Sequence, residues 1–486
     1  AAVAAAAVLC VVEPHMTGLG GDVFALLWSA RERRLVGLDA SGRSGSGMTP
    51  EALGSGDGGR VPERGARAVT VPGALSGWAA LVERHGTMAL GDLLAPAHRL
   101  AEEGFPVSPI IASQWAEAAE LLRADTGAQG TFLLGGARTP RAGEWFRNPD
   151  LARSLATVAQ DGPGALYGGA LGRLLTDGLG AAGGYVSLAD LERHTPRWVE
   201  PISVDFRGHT VWELPPSGQG VAALQMLRML EAWDLAALGH NSPEALHLMI
   251  EAKKLAFADL ERHVADPDSM EVTPEALLDP DYVARRRALI DPSRAAHALP
   301  EPGMPSTAGE TVYLTVADAE GNMVSFINSI FEAFGSGFVA PGTGFALQNR
   351  GAGFSLEPGH PNRVAPGKRP MHTLIPGFVT RAGEPLLAFG VMGGAMQPQG
   401  HVQLLLNLLE FGMELQQAVD APRFRHMSGP QVALEPVPAR VRTALEGLGH
   451  EFVEAPNFGG AQAVLRLERG WAAGSDPRKD GLAVGY

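Results

Sequence analysis

Two alternating runs, VYLTVAD (312–318) and MVSFINS (323–329), stand on either side of AEGN, and they constrain the fold of this chain more than any other stretch. Period-two alternation of β-branched and aromatic residues marks strands, and Gly-Asn between two such runs marks a hairpin turn. The preceding stretch, ALIDPSRAAHALPEPGMPSTAGE (288–310), holds four prolines and no core periodicity, so it reads as an exposed, mobile linker. Thr311 therefore heads a strand directly after a linker. With Glu320 and Gly321 as turn centre, Val312 faces Ser329, and Thr311 lies beside Ser329 and Ile330. A Thr/Ser pair of this kind either stabilises the sheet or combines a nucleophile with an orienting hydroxyl. A hydroxyl is a weak nucleophile without a base beside it. Cutting the chain at Glu310–Thr311 would supply one, because a free α-amine has a pKa of about 7.7–8.0.

The 486 residues are 45% hydrophobic and 19% charged, as in a soluble globular protein with a large core. A net charge of −14 argues against nucleic acid as a partner. The single cysteine, Cys10, excludes an internal disulfide and a Cys-based zinc site. It lies within AAVAAAAVLCVV, where a buried, inert thiol is the better reading than a nucleophile. That run, Ala1–Val12, is too short to span a bilayer and lacks a basic flank and a cleavage signature, so it is expected to be a buried helix, with no membrane partner. The chain starts without Met, and the expectation is that its first segment is missing. The compartment is therefore left open, the cytoplasm being favoured over the periplasm or secretion.

Met16–Trp28 reads as a glycine-rich turn and a buried strand, and Arg33–Arg43 as a second strand running into a loop. The glycines do not follow G-x-G-x-x-G and no strand precedes them, which rejects a dinucleotide fold. Helical periodicity covers Gly73–Ala119, Ala152–Leu179, ALQMLRMLEAW and PEALHLMIEAKKLAFADLERH, and EPISVDFRGHTVWEL is a strand pair around Arg207-Gly208. Beyond the linker, strands are expected at VYLTVAD, NMVSFINS, TGFALQN, HTLIPGFVT and PLLAFGVM, followed by a helix over Gln399–Phe411. The prediction is one α+β body whose segments 1–310 and 311–486 share the same layers. HEFVE (450–454) lacks the second His of a zincin and APGKRP is not a P-loop, so no metal and no cofactor is called for.

Several stretches, in this order, resemble the γ-glutamyltranspeptidase family of N-terminal nucleophile hydrolases over nearly the whole chain. They are VVEPHMTGLGGDVFALLW, VPGALSGW, HGTMALGDLLAPA, EPISVDFRG, PPSGQG, HLMIEAKKLAFADLERHVADPD, GETVYLTVADAEGNMVSF, FGSGFVAPGTGFALQNRG, GKRPMHTLIP, GVMGGAMQPQGH and GSDPRKDGLAVGY. The resemblance implies a four-layer αββα sandwich and a self-cleaving proenzyme. Its large fragment (1–310) and small fragment (311–486) would stay associated and could oligomerise further. It implies Thr311 as nucleophile, Ser329 as the second hydroxyl, Glu310–Thr311 as the autocleavage site, and Gly393-Gly394 as the oxyanion hole, a pair otherwise read as a tight turn. The family's substrate-clamping arginine falls on Ser41, which leaves Arg43, two residues on, as the candidate clamp or else an exposed structural arginine. The family's acidic residue for an α-amino group falls on Gly353, and Arg350 enters that loop, which favours a carboxylate over an ammonium. The usual Ser-Ser pair falls on His372-Thr373, where His372 either contacts substrate or is a satisfied structural histidine. Glu357–Pro370 is shorter than in lid-bearing members, and the resemblance is to the lidless, cephalosporin acylase-like branch. The expected activity is cleavage of γ-glutamyl amides such as glutathione, hydrolysis by water being favoured over transfer to an amine acceptor. The alternatives are a glutaryl or cephalosporin-type acylase and an unprocessed relative that only binds.

Overall fold

The computed structural model describes residues 1–54, 61–297, 310–455 and 457–485. Two antiparallel sheets lie face to face, and helices cover the outside of each. The first sheet runs in the order Arg197–Val199, Arg34–Asp39, Asp22–Ser29, Met323–Phe331, Glu310–Ala317. The second runs Trp471–Ser475, Gly460–Arg466, Glu384–Met392, Gly377–Arg381, His209–Glu213, Ile202–Phe206. Residues from both sides of position 310 occupy each sheet.

The strand DVFALLWS is buried at every position, because it is central in a sheet covered on both faces. Its alternate side chains enter two different cores. Phe24, Leu26 and Trp28 meet Tyr313, Ile327, Phe378, Ala388 and Met392 between the sheets. Val23, Ala25 and Leu27 face outward onto the helices, where Cys10, Leu75, Trp78, Leu94 and Leu155 pack with them. These come from the helices Ala2–Val12, Ala74–His85, Leu90–Glu103 and Pro149–Asp161. A third core joins the second sheet to the helices Gly220–Leu230, Pro243–His263 and Met396–Leu409. The result is the αββα sandwich. Among the described residues no helix is long and apolar enough to cross a membrane.

The hairpin register differs from the expected one by a single residue. Val312 pairs with Asn328 and Ala317 with Met323, whereas Glu310 pairs with Phe331. The turn is closed by Asp318 and Asn322: the Asp318 N–H donates to the Asn322 carbonyl, and the Asn322 N–H donates to Asp318 Oδ1 at 2.8 Å. Gly321 sits between them at φ +90°, a conformation open to glycine. The difference is absorbed by a bulge, in which Ser329 and Ile330 together oppose Thr311.

Of the expected strands, TGFALQN makes only an isolated bridge between Leu347 and Gly20 among the described residues, whereas HTLIPGFVT forms a strand in its second half, Gly377–Arg381, with His372 making an isolated bridge to Gly218. In these segments Gln348 Nε2 donates to the Thr70 carbonyl, Asn349 Nδ2 donates to the Glu63 carbonyl, and Thr373 Oγ1 accepts from Arg350. The helix expected over Gln399–Phe411 begins three residues earlier, at Met396, and ends at Leu409.

Candidate active site

Thr311 is 1% exposed, and its Oγ1 donates to Ser329 Oγ at 3.2 Å. The same Ser329 oxygen accepts the N–H of Phe331 at 2.8 Å. Phe331 adopts φ +80°, an uncommon conformation for an aromatic residue. It follows directly from the bulge, which turns the end of the strand back over Ser329. The local fold thus presents Thr311 at the strand head with its hydroxyl already oriented.

Phe331 connects this end of the hairpin to Arg350. The guanidinium lies over the Phe331 ring, 4.4 Å from its centroid. Arg350 is 1% exposed and makes one side-chain hydrogen bond, from Nη1 to Thr373 Oγ1 at 2.7 Å. Its Nε and Nη2 have no partner among the described residues. Burial pushes its pKa down to about 9, opposed by Asp22 and Glu332, and this leaves it charged at neutral pH. A buried cation with two open N–H groups is an unfinished anion site.

His372, next to Thr373, is fully buried against Phe24 with ring centroids 4.6 Å apart. Its Nδ1 accepts the Leu374 N–H, so Nε2 carries the proton and donates to Asp22 Oδ2 at 3.2 Å. Burial and then Arg350 hold its pKa well below the ordinary histidine value, so the ring is neutral. Asp22 Oδ1 accepts the N–H groups of Gly42 and Gly73, and burial raises the carboxyl to about 6. Both ring nitrogens of His372 are therefore engaged by groups of the fold.

The loop after Glu384–Met392 carries Gly393 at φ +122° and Gly394 at φ +60°. A side chain at Gly393 would stand 3.1 Å from the Gly459 backbone. No hydrogen bond donated by either glycine N–H is found among the described residues. The Gly394 carbonyl accepts the Gln219 Nε2–H at 2.9 Å, and the same nitrogen donates to the Thr373 carbonyl at 2.6 Å. Thr311, Ser329, Phe331, Arg350, Thr373, Gln219 and Gly394 thus form one unbroken run of contacts.

Arg43 lies outside this run. Its Nη1 donates to the Gly367 carbonyl at 2.8 Å and lies 3.4 Å from Asp266 Oδ2, on an open cleft of about 210 Å³. The cleft wall also includes Ser44, Asp190, Arg193 and His194. Of the linker expected over residues 288–310, residues 298–309 lie outside the described part. Glu310 begins the strand that Thr311 continues. Residues 291–297 are held by hydrogen bonds: His247 Nε2–H donates to the Asp291 carbonyl, Lys254 Nζ to the Ala296 carbonyl, and the Ala295 N–H to the Leu448 carbonyl.

The His450 of HEFVE does meet a second histidine. His450 Nε2–H donates to His247 Nδ1 at 2.8 Å, and Glu251 is close to both. A cation is opposed there by Lys254, whose ammonium lies 2.7 Å from Glu251 Oε1. The group therefore acts as a polar cross-link.

Two residues of the site escaped the reading of the sequence. Gln219 sits in PPSGQG, a loop quoted only for its resemblance. Asp22 is the lone acid heading a wholly apolar strand, which is a signal for a buried partner.

A buried threonine near the start of a sheet-edge strand, inside an αββα sandwich, is the arrangement of the N-terminal nucleophile hydrolases, and this protein is an enzyme of that class. Residues 1–486 match the family described as Gamma-glutamyltranspeptidase, and the chain belongs to that family. It is similar to the glutathione hydrolase-like YwrD proenzyme of Bacillus subtilis (strain 168), with 36% identity over all of this chain and 93% of that protein. It is 38% identical to the oxamate amidohydrolase proenzyme of Klebsiella pneumoniae, again over all of this chain and 93% of the relative. Among solved structures it is similar to a cephalosporin acylase from Bacillus halodurans, with TM-score 0.94 and 42% identity, covering this chain entirely and 90% of the other.

Proposed function

We propose that the protein is a self-processing threonine amidohydrolase for amides of small acyl groups that end in a carboxylate. The reading is carried by one observation: the oriented Thr311 hydroxyl lies one aromatic ring away from a buried guanidinium with two open N–H groups.

In the continuous chain the Thr311 nitrogen is an amide and cannot act as a base. Processing starts with attack of Thr311 Oγ1 on the Glu310 carbonyl carbon. The Glu310–Thr311 C–N bond breaks, the Thr311 nitrogen gains a proton and becomes the free α-amine, and an ester joins Glu310 to Oγ1. Water hydrolyses that ester and frees the hydroxyl. In turnover the α-amine takes the Oγ1 proton as Oγ1 adds to the substrate carbonyl, then gives it to the departing amine. The N–H groups of Gly393 and Gly394 hold the oxyanion, an interaction whose loss typically costs about 10²–10³ in rate per donor. Water then resolves the acyl-enzyme.

Arg350 Nε and Nη2 receive the terminal carboxylate of the acyl group, in the bidentate manner that suits arginine. Gly353 supplies no acid for an α-ammonium, and Arg350 repels one. γ-Glutamyl and glutaryl groups place the carboxylate alike and differ only in that ammonium. Glutaryl amides are therefore expected to react faster than γ-glutamyl amides, the class first expected from the sequence. Hydrolysis of glutaryl and γ-glutamyl p-nitroanilide by processed protein tests this. A tenfold preference for the γ-glutamyl compound contradicts the specificity assignment. No turnover of either by processed protein sinks the substrate class.

A further inference from the structure

Gln219 is fully buried at the start of the helix Gly220–Leu230. Both of its near neighbours are main-chain carbonyls, of Thr373 at 2.6 Å and Gly394 at 2.9 Å. A carbonyl only accepts, so the side-chain amide must turn its NH₂ toward them and commit both hydrogens. Its Oε1 has no partner among the described residues. One nitrogen therefore ties two segments 21 residues apart in the chain. One of them carries the hydroxyl that holds Arg350, and the other carries the amides offered to the oxyanion.

We propose that Gln219 is a positioning residue that couples recognition of the acyl carboxylate to the oxyanion hole. This rests on the carboxylate and oxyanion roles given above to Arg350 and to Gly393-Gly394. A carboxylate docked on Arg350 fixes the guanidinium, the guanidinium fixes Thr373 Oγ1, and the Thr373 carbonyl is fixed through Gln219 to Gly394. The correct acyl group thereby sets the oxyanion loop at the distance the tetrahedral oxygen needs. A displacement of about 1 Å at such a point costs on the order of 10²-fold in rate. The carboxylate is therefore read in kcat as well as in KM, and only the kcat part passes through Gln219.

The test compares glutaryl with valeryl p-nitroanilide, which share chain length and differ in the terminal carboxylate. In the processed wild-type enzyme the carboxylate should raise kcat by about 10²-fold and also lower KM. In Gln219→Met, which keeps the length and loses both N–H donors, the kcat ratio should fall toward one while the KM ratio persists. Gln219→Glu keeps the shape and provides a second route should Gln219→Met fail to process. A protonated carboxyl donates a single hydrogen and can hold only one of the two carbonyls, so the kcat ratio of this variant should also fall toward one at every pH. The α-amine affects both substrates equally and cancels in that ratio. A wild-type kcat ratio in both variants at every pH overturns the coupling, while a KM preference lost in Arg350→Met leaves the carboxylate reading standing. A wild-type enzyme with no preference for glutaryl in either constant overturns both.

Discussion

Thr311 and Ser329 meet hydroxyl to hydroxyl at 3.2 Å, at the point where the hairpin sets two residues opposite one. Ser329 Oγ also receives the Phe331 N–H, so a single oxygen orients the nucleophile and closes the bulge. Ser329→Ala removes both functions. It leaves a buried N–H unpaired, worth about 1–3 kcal/mol, and frees the Thr311 hydroxyl to rotate. Processing and turnover should both slow, turnover by about 10²-fold. Ser329→Thr should retain most of each. A gel time course with kcat on glutaryl p-nitroanilide checks the pair.

Arg350→Met separates binding from folding. Charge-assisted hydrogen bonds are worth about 1.5–3 kcal/mol, so KM for a glutaryl amide should rise roughly 10- to 100-fold. The folded protein should lose little or nothing, because Arg350 leaves Nε and Nη2 unpaired in the core and Met fills similar volume. Thermal unfolding beside Michaelis constants measures both. A large drop in stability with unchanged KM would make Arg350 structural.

Activity should rise with pH through about 7–8, the range in which an α-amine loses its proton. Only the free amine is a base, so kcat/KM falls on the acid side. His372 should not contribute to that limb, since burial and Arg350 keep it neutral well below its ordinary range. The pH profile of His372→Asn should therefore keep the wild-type midpoint.

Stability should fall in acid, and two buried histidines give the sign. Burial pushes His15 down to about 4 and His450 to about 3. Both values lie below the unfolded value of about 6.5, so on acidification the unfolded chain binds protons first. Their contribution is complete above about 6.5 and is lost progressively as pH falls. For His15, whose Nε2 contacts Gln114 Oε1 at 2.9 Å, the loss near pH 5 is about 2 kcal/mol. His450 adds to it because its protonation disturbs the cross-link through His247 to residues 291–297. Urea midpoints near neutrality and near pH 5 measure the difference, and His15→Gln should reduce it.

The layers were readable where periodicity was strong. The apolar run VFALLW had to lie between two packed faces, and the helix over Ala2–Val12 could only be buried. The hairpin was readable to within one residue, because turn chemistry at Asp318 and Asn322, which the Gly-Asn signal does not fix, sets the register. TGFALQN and HTLIP carry strand composition but turn Gln348, Asn349 and Thr373 to bonds with loops distant in the chain. Their fate is decided by tertiary contacts. Thr311, Ser329, Gly393 and Gly394 came from a long resemblance; hydrophobic pattern would have left them as strand and turn. Gln219 and Asp22 have partners that were not legible for a different reason. Their roles lie in what they reach, 154 and 350 residues away in the chain.

The most direct measurement is the intact mass and N-terminal sequence of the smaller fragment of the purified protein. The account predicts a fragment that begins Thr-Val-Tyr-Leu-Thr, and a single uncut chain in Thr311→Ala. A fragment that begins at any other residue, or a Thr311→Ala protein that still divides, contradicts it.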